Sequence, residues 1–222
     1  MIVAIDGPAG AGKSTVARRV ARRLGVPYLD TGAMYRAVAW LALRRGVDPS
    51  DPAAVAALAR SHPVRIEPAD DGDLVWVDGT DVTAAIRHPD VAAQVSEVAS
   101  HPDVRAEMVA AQRALLARGS WVSDGRDVGT VVWPDAEVKV FLTASLDERV
   151  RRRRGDLAAR DIDADEESVR ADLAHRDHLD STRATGPLQV ADGAVVIDSS
   201  ELDVDAVVEA ILGLVADVRT AG

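Results

Sequence analysis

The chain has no cysteine, and only two of its 26 basic residues, Lys13 and Lys139, are lysine. Without cysteine there can be no disulfide framework and no thiolate metal site, which is consistent with a reducing compartment. No apolar run approaches the length of a membrane span, and no signal-peptide pattern precedes the first apolar stretch, so a cytoplasmic protein that does not engage a membrane is expected. His62, His88, His101, His175 and His178 are scattered with no dense carboxylate cluster beside them, giving little support for a histidine-built metal site. The four tryptophans suit packing better than base stacking. A net charge of −10 would repel a nucleic-acid polymer, whereas a small pocket of arginines could still gather a monomeric nucleotide.

What is present is organised around Gly7-Pro8-Ala9-Gly10-Ala11-Gly12-Lys13-Ser14, which fits the phosphate-loop pattern G-x-x-x-x-G-K-[ST]. Glycines let successive backbone N–H groups turn inward, making an anion site at the positive end of a helix. Lys13 would reach the β- and γ-phosphates and Ser14 would ligate Mg²⁺. The context agrees: Ile2 to Ile5 form a short apolar run fit for a buried parallel strand, and Val16, Val20 and Leu24 recur at helical spacing behind the loop. In a chain that otherwise uses arginine, a lysine kept here is informative, because a compact ammonium fits among phosphates where a planar guanidinium does not.

At 222 residues and 47% hydrophobic the chain can bury one full core, with room for a small insert. Gly25 and Pro27 stop the first helix, and Tyr28, Leu29 and Asp30 lead into a second helix striped by Met34, Ala37, Val38 and Leu41 and ended by Gly46. Asp51 and Pro52 open a short third helix. Val64 to Glu67 and Leu74 to Val77 read as two strands joined by a turn over Asp70 to Asp73, followed by an Asp78-Gly79 turn, hence a small antiparallel insert. Two helices follow, Val91 to Ser100 and Val104 to Arg118, then strands at Trp121 to Ser123 and Val138 to Leu142. A helix carrying Arg151 to Arg154, another from about Asp165 to Asp180, a strand at Ala194 to Ile197 and a last helix capped by Ser200 complete the pattern. Alternation of strand and helix implies a parallel sheet.

Several further stretches can carry chemistry. Asp30 to Arg36 is compatible with an ordinary helix start, but it also falls where a second substrate would meet the first, with Arg36 free to clamp a phosphate. Asp124-Gly125-Arg126-Asp127 sits at the carboxyl end of a strand, where open α/β sheets bind ligands. There Asp124 could help hold Mg²⁺ through water, Arg126 could take phosphate and Asp127 could accept from a base edge. Arg151 to Arg154 reads either as a solvated helix face or as a lid bringing guanidinium groups over the transferring phosphoryl. Arg176 and Asp180, four apart, could be a surface ion pair or part of the same site.

Taken together these motifs resemble the bacterial cytidylate kinases, within the nucleoside monophosphate kinase family. The likeness runs over nearly the whole chain: the loop, Asp30 to Arg36, Val104-Arg105, Asp124 to Asp127, Val131 to Ala136, and Arg176 to Arg183. It implies an α/β P-loop kinase fold, with core segments at 1–30, 84–150 and 184–222, a nucleotide-acceptor region with its insert at about 31–83, and an arginine-rich lid at about 151–164. It implies ATP with Mg²⁺ on Gly7 to Ser14 and Thr15, with Arg151 and Arg154 reaching the ATP from the lid, and Ser14 and Asp124 serving the metal. It places CMP or dCMP against Thr31, Tyr35, Arg36, Ser96, Arg105, Arg126, Asp127, Arg176, Asp180 and Arg183, with Lys13, Arg126, Arg176 and Arg183 as the catalytic cations. A monomer is expected from the resemblance alone. The rivals are a kinase for another small acceptor and a slowly hydrolysing nucleotide switch. A hydroxyl acceptor would need a base, against the arginine crowding, and no guanine-reading stretch is found.

Overall fold

The computed structural model describes residues 1–69, 73–159 and 161–221. Five strands form a parallel sheet in the order β2-β6-β1-β7-β8, where β1 is Ile2–Asp6, β2 Tyr28–Asp30, β6 Trp121–Gly125, β7 Val138–Thr143 and β8 Val195–Asp198. Every residue of β1 is buried, as a central strand covered on both faces requires. It pairs Ile2 with Trp121 on one side and Val3 with Val138 on the other. From β1 the chain crosses to β2, leaving a place that β6 later fills. The strand order therefore reverses beside β1, and the crevice at the carboxyl ends of β1 and β6 is where ligands bind in such sheets.

Helix α1 (Lys13–Leu24) and α8 (Val204–Ala221) cover one face, where Val16, Val20, Val207, Val208 and Ile211 pack with Val3, Ile5 and Val140. On the other face lie α2 (Thr31–Arg45), α3 (Pro52–Ser61), α4 (Pro89–Ser100) and α5 (Pro102–Leu116). The second sheet, antiparallel and ordered β3-β4-β5 (Val64–Glu67, Leu74–Val77, Thr80–Asp81), shares this core through Ile66, Val75 and Val77. A smaller apolar cluster joins α6 (Leu146–Ala158) to α7 (Glu166–Thr182) through Val150, Leu157, Val169 and Leu173, with Ala9 of the phosphate loop against it.

The helix ends follow local chemistry. Asp30 caps α2 by accepting from Ala33 N–H, and Asp51 caps α3 through the N–H groups of Ala53 and Ala54, with Pro52 as first helical residue. The cap expected of Ser200 is corrected: Ala206 N–H donates to Asp203, while Ser200 donates to Asp198 and accepts from Ser145 N–H, fastening β8 to the start of α6. Four short elements were not anticipated, namely β2, β5, a 3-10 turn at Ala85–Arg87 and a π-helical turn at Val128–Val132. The turn expected over Asp70, Asp71 and Gly72, like residue 160 of the expected lid, lies outside the described residues.

Candidate active site

The loop between β1 and α1 grips by its backbone. Gly7 has φ 151°, and a side chain there would run into the carbonyl oxygen of Leu142 in β7. Lys13, buried, folds back to donate to Pro8 O at 2.8 Å. Burial, helped by the nearby charge of Arg126, pushes its ammonium down to about 7, against the pull of Asp124, Asp6 and Asp180. The buried ammonium thus has a carbonyl of its own loop as hydrogen-bond partner and three carboxylates near it.

Carboxylates cluster at the strand ends here: Asp6 and Asp30 close β1 and β2, Asp124 lies at the end of β6, and Asp73 immediately precedes β4. Asp124 accepts from Ser14 Oγ at 2.8 Å and from Tyr28 Oη at 2.6 Å, and burial together with the charge of Asp30 raises its pKa. Asp6, the last residue of β1, accepts from the N–H groups of Val128 and Gly129 at 2.8 and 2.7 Å, which pins the π-helical turn directly after Asp127. Burial raises Asp6 to about 6. Asp73, at the edge of β4, accepts from Asp30 N–H at 2.7 Å and is raised by burial to about 7.

A cleft of about 250 Å³ opens from the loop, lined by Lys13, Ser14, Thr31, Tyr35, Arg36, Ser96, Asp124, Arg126, Asp127, Arg176, Asp180 and Arg183. Three sequence segments far apart in the chain, around Arg36, Arg126 and Arg176 to Arg183, thus deliver their guanidinium groups to one hollow. Arg36 donates to Asp30 at 2.6 Å, and Arg126 to Asp180 at 2.7 Å. Burial alone would raise Asp180, but Arg126 holds it below the usual carboxylate range. Arg176 has the opposite problem: burial and then the neighbouring Arg126 push it down to about 10, and its Nε has no hydrogen-bond partner. The Nε of Arg36 is likewise buried and unpartnered. At the cleft's inner wall Asp127 is in close contact with Arg105 and has Arg183 at 3.4 Å. Arg105 sits over the Tyr35 ring, 5.7 Å from its centroid. Thr31 donates to Asp124 O at 2.7 Å.

A family model described as cytidylate kinase matches residues 3–217. The chain belongs to the cytidylate kinase family. The cytidylate kinase of Geobacillus kaustophilus (strain HTA426) is 52% identical over 213 residues, covering 96% of this chain and 95% of that protein. That of Shouchella clausii (strain KSM-K16) is 50% identical over 215 residues, covering 97% and 96%. A solved structure of an uncharacterized protein from Eubacterium ventriosum ATCC 27560 is similar in fold, with TM-score 0.52, 14% identity and 96% of each chain covered.

In this member of the cytidylate kinase family the expected acceptor residues line the cleft together, except that Arg105 stands behind Asp127 rather than at the surface. Thr15 lines the outer side of the loop, facing a second hollow of about 400 Å³ bounded by Gly10, Ala11, Gly12, Arg151 and Arg152 and floored by Val16, Leu202, Val204 and Val207. Of the four consecutive arginines, Arg151 lies on that outer side, exposed and paired with Glu148. Arg154 faces α7 and pairs with Glu166 at 3.2 Å. Arg152 donates to Ala11 O and Ser199 O. Arg153 is the member of the run that lines the first cleft, with Lys13, Arg36 and Arg176. Val150 and Leu157, seven apart, mark the buried stripe of α6, and that phase was the available signal for separating the four. Asp6, Tyr28, Asp73 and Arg149 carry contacts in or beside the site that no motif announces.

Proposed function

We propose that this kinase transfers the terminal phosphoryl group of ATP, taken with Mg²⁺, to CMP and dCMP, giving ADP with CDP or dCDP. The observation that carries the reading is the cation excess of the cleft: Lys13 and Arg176 are both depressed by burial, and the Nε groups of Arg36 and Arg176 are buried without partners. Unpaired buried donors of this kind are costly unless an anion arrives to meet them. Two phosphate chains meeting end to end would supply it.

The oxygens of Ser14 and Asp124, already in contact, form a hard donor set suited to an ion that keeps most of its water and phosphate ligands. When bound, Mg²⁺ neutralises charge on the phosphate oxygens. The remaining work falls to the chain. Backbone N–H groups of Gly10 to Ser14 and the Lys13 ammonium hold the donor phosphates. Arg36, Arg126, Arg176 and Arg183 hold the acceptor phosphate and the migrating group, with Arg153 above the cleft. No general base is needed, because a phosphate oxygen is ionised at neutral pH and placement with charge neutralisation suffices. Asp180 takes a sugar hydroxyl. Asp127 accepts from the cytosine amino group, with Ser96 lining the same cleft, while Arg105, behind Asp127, holds that carboxylate in place. Uracil would set a carbonyl against Asp127, which leaves a buried carboxylate facing an acceptor.

The test is ADP release from MgATP with each nucleoside monophosphate in turn and a no-acceptor control. CMP and dCMP far ahead of UMP, AMP and GMP is the expected result. Slow release indifferent to every acceptor would replace this reading with a nucleotide-hydrolysing switch.

A further inference from the structure

Arg149 precedes the run of four arginines and does not line the cleft, yet it is buried and bonded to three parts of the chain. Its Nε donates to Ala144 O at 3.1 Å, at the junction of β7 and α6. Its Nη1 donates to Ala9 O, inside the phosphate loop, at 3.1 Å, and to Asp177 Oδ2 on α7 at 2.6 Å. The loop lies directly on this residue: a side-chain carbon added at Gly10 would stand 3.1 Å from the Arg149 Cβ. Asp177 directly follows Arg176 and stands three residues before Asp180, so it shares a helix with two groups that face the acceptor. A single guanidinium therefore spans from the donor loop to the acceptor helix.

We propose that Arg149 and Asp177 form a clamp that sets the spacing between the phosphate loop and the acceptor groups of α7, acting as positioning residues that touch neither substrate. This rests on the phosphoryl-transfer reading above. In-line transfer requires the attacking oxygen at near-contact distance, and a misplacement of about 1 Å costs on the order of 100-fold in rate. Only a planar fork can bond Ala144 O, Ala9 O and Asp177 together, since a lysine ammonium at the same place is a point charge on a flexible stem. The fold does not depend on this bridge alone, since Ala9 and α7 also meet in the small cluster around Leu173 and the loop's start lies against Leu142. Loss of the bridge should therefore loosen their relative placement without emptying either binding site.

The experiment compares the full chain with Arg149→Lys, Asp177→Ala and the double variant, measuring kcat, the KM values for ATP and CMP, thermal unfolding, and amide hydrogen exchange along residues 7–14 and α7. The clamp predicts that kcat falls roughly 100-fold in each single variant while both KM values stay within about threefold. It predicts that the double variant is no worse than the singles, because one bridge is broken once. Exchange should quicken together in the loop and around Arg176. Asp177 is partly exposed, so its alanine variant folds even if the buried arginine variant does not. Losses that add in the double variant, KM values that rise in step with the fall in kcat, or loop exchange unchanged in Asp177→Ala would each overturn the clamp. A wild-type chain that shows no CMP-dependent turnover would sink the acceptor reading instead, and the exchange arm would then judge the clamp by itself.

Discussion

Replacing Asp127 with asparagine separates reading a base from organising arginines. The substitution keeps the shape and removes one negative charge from between Arg105, in contact, and Arg183, 3.4 Å away. All three side chains are buried, so the two guanidinium groups would be left facing each other without a counter-charge. Breaking a buried pair in this way costs about 3 kcal/mol or more. On a chain of this size that lowers Tm by roughly 6–12 °C. The functional effect is separate and larger in kind. An asparagine can turn its oxygen to the cytosine amino group or its NH₂ to the uracil carbonyl, so the repulsion that excludes uracil disappears. If that repulsion is also worth about 3 kcal/mol, the CMP-to-UMP ratio of kcat/KM falls on the order of 100-fold, mostly through gain with UMP. Coupled ADP release with CMP and UMP, read beside a thermal melt, gives both numbers. Equal loss with the two acceptors, at an unchanged ratio, would refute the base-reading role and leave Asp127 as the counter-ion of Arg105 and Arg183.

Lys13→Met should reduce turnover at least 1000-fold by order of magnitude, as expected when the cation serving the transferring phosphates is lost. Its Tm in the nucleotide-free state should not fall, because a lysine whose folded pKa is lowered to about 7 penalises the folded state below that pH, the penalty fading as pH rises toward 10.5; a clear drop in Tm would contradict this. Asp6 must be ionised to accept from both Val128 and Gly129, so the rate should decline as pH falls through about 6, where its raised pKa lies. Stability moves the other way for this group, since the folded form takes up the proton first between pH about 6 and 3.8 and gains as pH falls across that window. A pH–rate profile of Asp6→Asn that keeps the same acid limb would show that another group titrates there. Arg153→Ala should lower kcat roughly tenfold or more while Arg154→Ala, whose partner Glu166 is exposed, stays within about twofold; the reverse order in steady-state rates would put Arg154 over the substrates.

The phosphate loop was legible because its chemistry is local: the glycines, Lys13 and Ser14 must be neighbours in sequence to be neighbours around a phosphate. The cap of α3 was legible for the same reason, as were the strands with enough residues to show a pattern. β2 and β5, at three and two residues, are too short for periodicity to register, and both exist through pairing with partners elsewhere in the chain. The π-helical turn depends on a carboxylate of β1 some 120 residues away. Ser200 and Asp203 are equally good caps on paper. The choice was made by β8, whose end uses the Ser200 hydroxyl for another bond. The run of arginines shows the limit most plainly, because Arg149, Arg151, Arg153 and Arg154 are one residue type on one helix and yet meet four different surroundings. Burial of Asp6 and Asp73 was equally hidden, since a carboxylate beside an apolar run reads as a strand end rather than as a hydrogen-bond acceptor inside the core.

The central claim, that a cation-rich cleft beside the loop takes a cytosine nucleotide as phosphoryl acceptor, is tested most directly by following the product. MgATP labelled at the γ-phosphate is given to the full chain with CMP, dCMP, UMP, AMP and GMP present together at equal concentration, and the labelled nucleotides are separated. Label appearing first and predominantly in CDP and dCDP is the result expected. Label found as inorganic phosphate, or spread without regard to the base, would contradict the account.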